Sequence, residues 1–150
     1  MTASRPYTEI VERIGAAKEG SRYTLRPARE AQILRRLLAR HRGNLPPATL
    51  VRIYRELISG LTRLQGPFQV AVYAPDERRL GFWDLARDYF GSATPMTAVN
   101  SPQAALRAVA EGTATVGVVP FPADDDADPW WRFLAAVDAR SPRIVARLPF

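Results

Sequence analysis

The chain has 150 residues, 47% of them hydrophobic, and a net charge of +6. It is long enough to bury a real core and short enough to limit the chain to one or two small domains. With no cysteine and a single histidine, His41, it excludes a disulfide scaffold, a thiolate metal site and a histidine-rich catalytic centre.

The first segment, "YTEIVERIGAAK", carries Ile10, Val11 and Ile14 at helical spacing and predicts a helix ending near Gly20. The sequence ahead of it lacks the apolar stretch of a secretion signal, and no apolar run approaches the roughly 18 residues of a membrane helix. We therefore expect a soluble, cytoplasmic protein with no membrane partner. A link, "GSRYTLRP", leads to a second helix opening near Pro27, whose stripe is Ile33, Leu34, Leu37 and Leu38. "HRGNLPP" closes it: Gly43 suits a helix end and Pro47 a first turn, while His41 near the helix end reads as a cap. A third helix runs to about Gln65, with the stripe Leu50, Tyr54, Leu57, Ile58 and Leu61.

At Gly66-Pro67 the period changes, and strands alternate with helices. "FQVAVYA" is a strand, "GFWDLARDYFG" a helix, "PMTAVN" a weaker strand, and "SPQAALRAVAEG" a helix with Ser101 at its start and Gly112 after its end. "ATVGVVPF" is a buried strand, "DPWWRFLAAVDA" a helix, and "RIVARLPF" a last strand. The expected fold is α+β in two parts: a helical segment over 1–66, then an open α/β lobe, βαβαβαβ, over 67–150. Asp124, Asp125 and Asp126 lack the spacing to converge on one ion and read as a solvated loop.

Charge divides along the same boundary. Residues 1–66 hold 13 basic and 5 acidic groups, and residues 67–150 hold 8 and 10. A basic front half favours anionic partners. The arginines of "ILRRLLARHRG" allow phosphate contacts, but no DNA-binding motif accompanies them, so nucleic acid is not an expected partner.

Three polar residues interrupt the apolar stripes. Lys18 lies four residues after Ile14, Glu30 four before Leu34, and Gln65 four after Leu61; Arg29 borders the second stripe beside Glu30. Lys18 is the one lysine among 21 basic residues, and an ammonium differs from a guanidinium in geometry. Burying such groups without partners costs several kcal/mol. Taken singly they read as structural, with Glu30 paired to Arg26 or Lys18. Together they describe a polar pocket for a small anion in a helical core. If Glu30 serves only that pocket, Glu30→Leu leaves stability unchanged or raised.

The run "IVERIGAAK…Y.LRPAREAQILRRLLARHRG.L…LVRIYRELISGLTRLQGP" resembles the all-helical chorismate mutases, in particular those fused to prephenate dehydratase. The likeness continues more weakly through "VAVYAP…DLARDYFG…ALRAVAEGTATVGVVPF", which resembles the first lobe of a prephenate dehydratase. The family's Ile-Glu-Asn-Ser after that strand is replaced by "FPADDD", and its threonine-arginine-phenylalanine motif is absent.

The resemblance implies a chorismate mutase of aromatic amino-acid biosynthesis with an incomplete first helix and a partial dehydratase-like lobe. Lys18 and Gln65 would donate to the breaking ether oxygen, while Arg29 and Glu30 would hold the substrate's carboxylate and ring hydroxyl. No metal or cofactor is implied. Chorismate and prephenate are the implied small-molecule partners, and a homodimer is implied if the first helix is complete. The family's second first-helix arginine falls on Tyr7, and its third-helix serine on Leu61. The rival reading is a non-catalytic relative that senses an aromatic or carboxylate metabolite.

Overall fold

A computed structural model describes residues 25–75, 79–123, 129–135 and 141–149. They form four α-helices, a three-stranded parallel sheet and one 3-10 helix, an α+β mixture arranged as two compact units. The predicted helix over 7–18 lies outside the described residues.

The first unit holds the described residues up to Pro67 together with Phe90–Ala93. Helix α1 spans Pro27–Arg40 and helix α2 spans Pro47–Leu64. Each opens on proline, whose fixed φ suits a first turn that has no use for the missing N–H. In α1 the first turn carries Glu30 and the last Arg40, both on the favourable ends of the helix dipole. Helix α1 closes at His41, whose backbone N–H reaches the carbonyl of Leu38, 3.2 Å away. Arg42 Nη1 donates to the carbonyls of Ala39 and His41 at 3.0 Å each, and His41 Nε2 lies 2.8 Å from the carbonyl of Leu45. Arg42 thus reaches a carbonyl of the last turn, and His41 occupies the C-cap position through its backbone N–H while its ring turns to Leu45 beyond the helix.

The apolar stripes need correction. On α1, Leu34 is buried, Leu37 is half-buried, and Ile33 and Leu38 are exposed. On α2 the buried residues are Arg55 and Thr62, not Leu57 and Leu61, which stand 54% and 43% exposed. Leu50, Tyr54 and Ile58 of the expected stripe are half-buried, so the buried face is shifted from that stripe towards Arg55 and Thr62. The physical reason lies in hydrogen bonds that hydrophobic periodicity does not register. Arg55 is drawn inward by a carboxylate on α1, and Thr62 returns its hydroxyl to the carbonyl of Ile58 at 2.9 Å.

The Phe90–Ala93 turn is fastened to this same helix. The backbone N–H of Ser92 donates to Glu56 Oε1, and Arg63 Nη1 donates to the carbonyl of Ala93, both at 2.8 Å. Gly91 sits at φ +87°, and a Cβ there would fall 2.6 Å from Ser59 Oγ. Left-handed backbone and close approach both demand glycine.

The second unit holds the remaining described residues. Strand β1 (Val70–Tyr73) lies between β2 (Met96–Val99) and β3 (Val116–Val118), all parallel, with Val70 opposite Met96 on one side and Val116 on the other. Val70 and Val72 are fully buried, as a central parallel strand requires. Helix α3 (Arg79–Phe90) connects β1 to β2, and α4 (Pro102–Ala110) connects β2 to β3. Phe82 of α3 packs against Tyr73 with ring centroids 5.6 Å apart. Ser101 caps α4 by accepting from the N–H of Ala104 at 3.1 Å. Fully buried Ala105 faces Gly117, where a Cβ would come within 3.3 Å of the Ala105 carbonyl. Two small residues thus set how closely α4 lies on β3.

Beyond β3 the βαβαβαβ expectation departs from the structure. Residues 129–135 form a 3-10 helix, Trp130–Ala135, instead of the expected α-helix, while 124–128 and 136–140 lie outside the described residues. The expected last strand, "RIVARLPF", forms no strand over its described residues 143–149. Pro142 and Pro149 bracket it and cannot donate to a ladder. Its apolar residues also find no face to bury, since Ile144 is 69% exposed. Arg147 instead lies 4.8 Å over the ring of Phe121.

Candidate active site

The helical unit places one of the four candidate residues deep in its interior. Glu30 occupies the first turn of α1, its backbone N–H bonded to the carbonyl of Arg26 at 3.0 Å, and only 8% of the residue is exposed. Its Oε2 accepts from Nη1 of Arg55 on α2 at 2.8 Å, and Arg55 is itself 5% exposed. Arg55, a residue 25 positions away, is a partner that the sequence did not suggest; Lys18, one of the two expected partners, lies outside the described residues.

Two opposite charges in a buried setting attract strongly, but each has lost its hydration, so the net contribution to stability is small. Breaking the pair is another matter, because the residue left behind is a buried charge without its counter-ion. The pair therefore fixes where the carboxylate points. A carboxylate offers about four lone-pair positions, and Arg55 occupies one of them.

The remaining candidates stand elsewhere. Arg29, beside Glu30 in sequence, is exposed. Gln65 is the C-cap of α2; it is half-buried, and its side-chain amide donates to the carbonyl of Leu61 at 3.3 Å. Arg55 and Gln65 are separated by roughly 15 Å of rise along α2. Lys18 lies outside the described residues, as does Tyr7. Leu61, on the family's serine position, is exposed, and the buried hydroxyl nearby is that of Thr62.

Arg55 was missed by sequence reasoning. It neighbours Tyr54, a member of the expected stripe, but lies off that stripe, and nothing in apolar spacing marks an inward-facing arginine. The available signal was the unanswered charge of Glu30: a carboxylate in a core needs a cation, and the third helix supplies few.

Residues 7–66 match the family model of chorismate mutase type II. The match takes in helices α1 and α2 of the first unit. The chain is 34% identical over 99 residues to a bifunctional chorismate mutase/prephenate dehydratase of Pseudomonas aeruginosa. It is 31% identical over 100 residues to a protein of that description from Stutzerimonas stutzeri. Each match covers 63% of this chain and 26% of the relative, so the chain spans about a quarter of the length of these curated relatives. No solved structure matches.

The matched range contains Lys18, Arg29, Glu30, Arg55 and Gln65. Among the described residues no helix is long and apolar enough to cross a membrane.

Proposed function

We propose that residues 7–66 bind chorismate and accelerate its rearrangement to prephenate, within the biosynthesis of phenylalanine and tyrosine. The family match over those residues carries this reading, and the relatives' printed activities agree with it. The reaction breaks an ether C–O bond and forms a C–C bond in one concerted step. It transfers no proton to or from the protein and needs no covalent intermediate. The protein's contribution is to hold the compact conformer and to place donors where charge grows on the ether oxygen. In this reading Lys18 and Gln65 donate to that oxygen. Arg29 pairs with a substrate carboxylate, and Glu30 accepts from the ring hydroxyl. The reading assigns no metal, no cofactor and no nucleic acid.

Its finer parts rest on separate support. Residues 67–150 are assigned as a partial dehydratase-like α/β lobe, supported by the parallel β1–α3–β2–α4–β3 run. A homodimer is assigned from the outer face of α2, where Ile53, Leu57, Leu61 and Leu64 stand 42–54% exposed at helical spacing. A second copy covers such a stripe, and an aqueous surface disfavours leaving it bare.

The test is chorismate consumption with prephenate formation by the chain as given, alongside Lys18→Ala. Wild-type turnover with a loss of about 10²–10³ in rate for the variant, at unchanged melting temperature, supports the reading. A wild type that binds chorismate without converting it favours the sensing relative instead.

A further inference from the structure

The ion pair between α1 and α2 has a role to fill beyond holding two helices together. We propose that Arg55 is a positioning residue for the mutase reaction, which sets the Glu30 carboxylate in the orientation that accepts the substrate's ring hydroxyl. This rests on the functional reading above and extends it to a residue to which the sequence reading gave no role.

Three observations carry the inference. First, Arg55 Nη1 and Glu30 Oε2 are 2.8 Å apart, the length of a charge-assisted hydrogen bond. Second, both side chains are buried, at 6% and 11% exposure, so bulk water is poorly placed to substitute for either partner. Third, the pair is built from different elements. Glu30 hangs from the first turn of α1, while Arg55 reaches in from the middle of α2. A glutamate has three side-chain torsions, and in a helix's first turn the positive end of the dipole attracts its carboxylate. The guanidinium on the facing helix fixes one oxygen of that carboxylate from across the helix pair.

A pair serving the fold alone explains the geometry less well. A buried ion pair is on balance a weak source of stability compared with apolar residues of the same volume. Here it replaces apolar packing on the buried face of α2, while Leu57 and Leu61 of the same helix face outward.

The experiment uses the full chain and two substrates: chorismate, and its analogue lacking the ring hydroxyl, which can undergo the same rearrangement. kcat and KM are measured for wild type, Arg55→Lys, Arg55→Met, Glu30→Gln and the double variant Glu30→Gln/Arg55→Met. If Arg55 acts through Glu30, Arg55→Met raises KM for chorismate by at least about tenfold, the scale of one hydrogen bond to a charged group. It leaves the deoxy analogue nearly unaffected, and Arg55→Lys recovers part of the loss. The double variant is then no worse than Glu30→Gln alone. Equal losses on both substrates, or full chorismate turnover by Arg55→Met, overturn the positioning role. If Arg55→Met does not fold, Arg55→Lys decides: a KM rise confined to the hydroxylated substrate supports the role, and its absence removes it. A wild type inactive on both substrates overturns the functional reading, and the positioning role falls with it.

Discussion

Glu30 was legible in the sequence as an anomaly, a carboxylate on an apolar stripe, but its partner was not. That difference reverses an expectation. Taken as an isolated polar group, Glu30 invites the view that Glu30→Leu is harmless to the fold. With Arg55 buried against it, the substitution takes a carboxylate away from a buried guanidinium, and we expect a loss of about 3–5 kcal/mol in unfolding free energy. Adding Arg55→Met to Glu30→Leu should restore most of that loss, because an apolar pair of similar volume is often neutral or stabilising. Urea titrations of wild type, single and double variants check this, and a double variant no better than the single shows that the ion pair is not the cause. Gln65 makes a separate prediction. A neutral amide donates at every pH near neutrality, whereas Gln65→Glu donates only when protonated. An ordinary glutamate titrates near 4.3, so activity of Gln65→Glu should rise as pH falls towards that value. The wild-type rate should show no matching rise, and identical pH–rate profiles would remove Gln65 from the donor role.

Helix boundaries were easier to read than helix faces. Pro27, Pro47 and Ser101 announced their helices because fixed φ and a capping hydroxyl are local effects that need no tertiary context. The α2 face was misread because its buried side is polar, with Arg55 and Thr62 in hydrogen bonds, and hydrophobic spacing is silent on such contacts. The last strand failed for a related reason. Ile144 and Val145 have strand character, but strands need a neighbour with matching donors and acceptors, and flanking prolines remove donors. The turn after α3 was also illegible, since its attachment depends on Glu56 and Arg63, which read as surface charges. Gly91 tests that attachment. Gly91→Ala places a methyl against Ser59 in left-handed backbone and should destabilise by about 1–3 kcal/mol. Gly60→Ala, with open space around its Cβ in mid-helix, should be neutral or gain about 0.5–1 kcal/mol. Thermal unfolding of both variants makes the comparison, and equal effects would discount the Gly91 contact.

The outer stripe of α2 bears on the assembly of the whole molecule. If a second copy covers Ile53, Leu57, Leu61 and Leu64, Leu57→Asp should convert a dimer to a monomer in sedimentation velocity at micromolar concentration. A wild type that sediments as a monomer at that concentration rejects the dimer. The Glu30–Arg55 pair, finally, joins residues 25 positions apart on two helices, so the carboxylate is in place only when α1 and α2 have docked. A ligand gripped by Glu30 accordingly binds the docked pair and not the open chain, and each tenfold rise in free ligand above Kd adds about 1.4 kcal/mol to stability. Opened chains are what proteases remove. The abundance of this protein would then follow the supply of its ligand, so that a shortage of the ligand shortens the life of the protein that binds it.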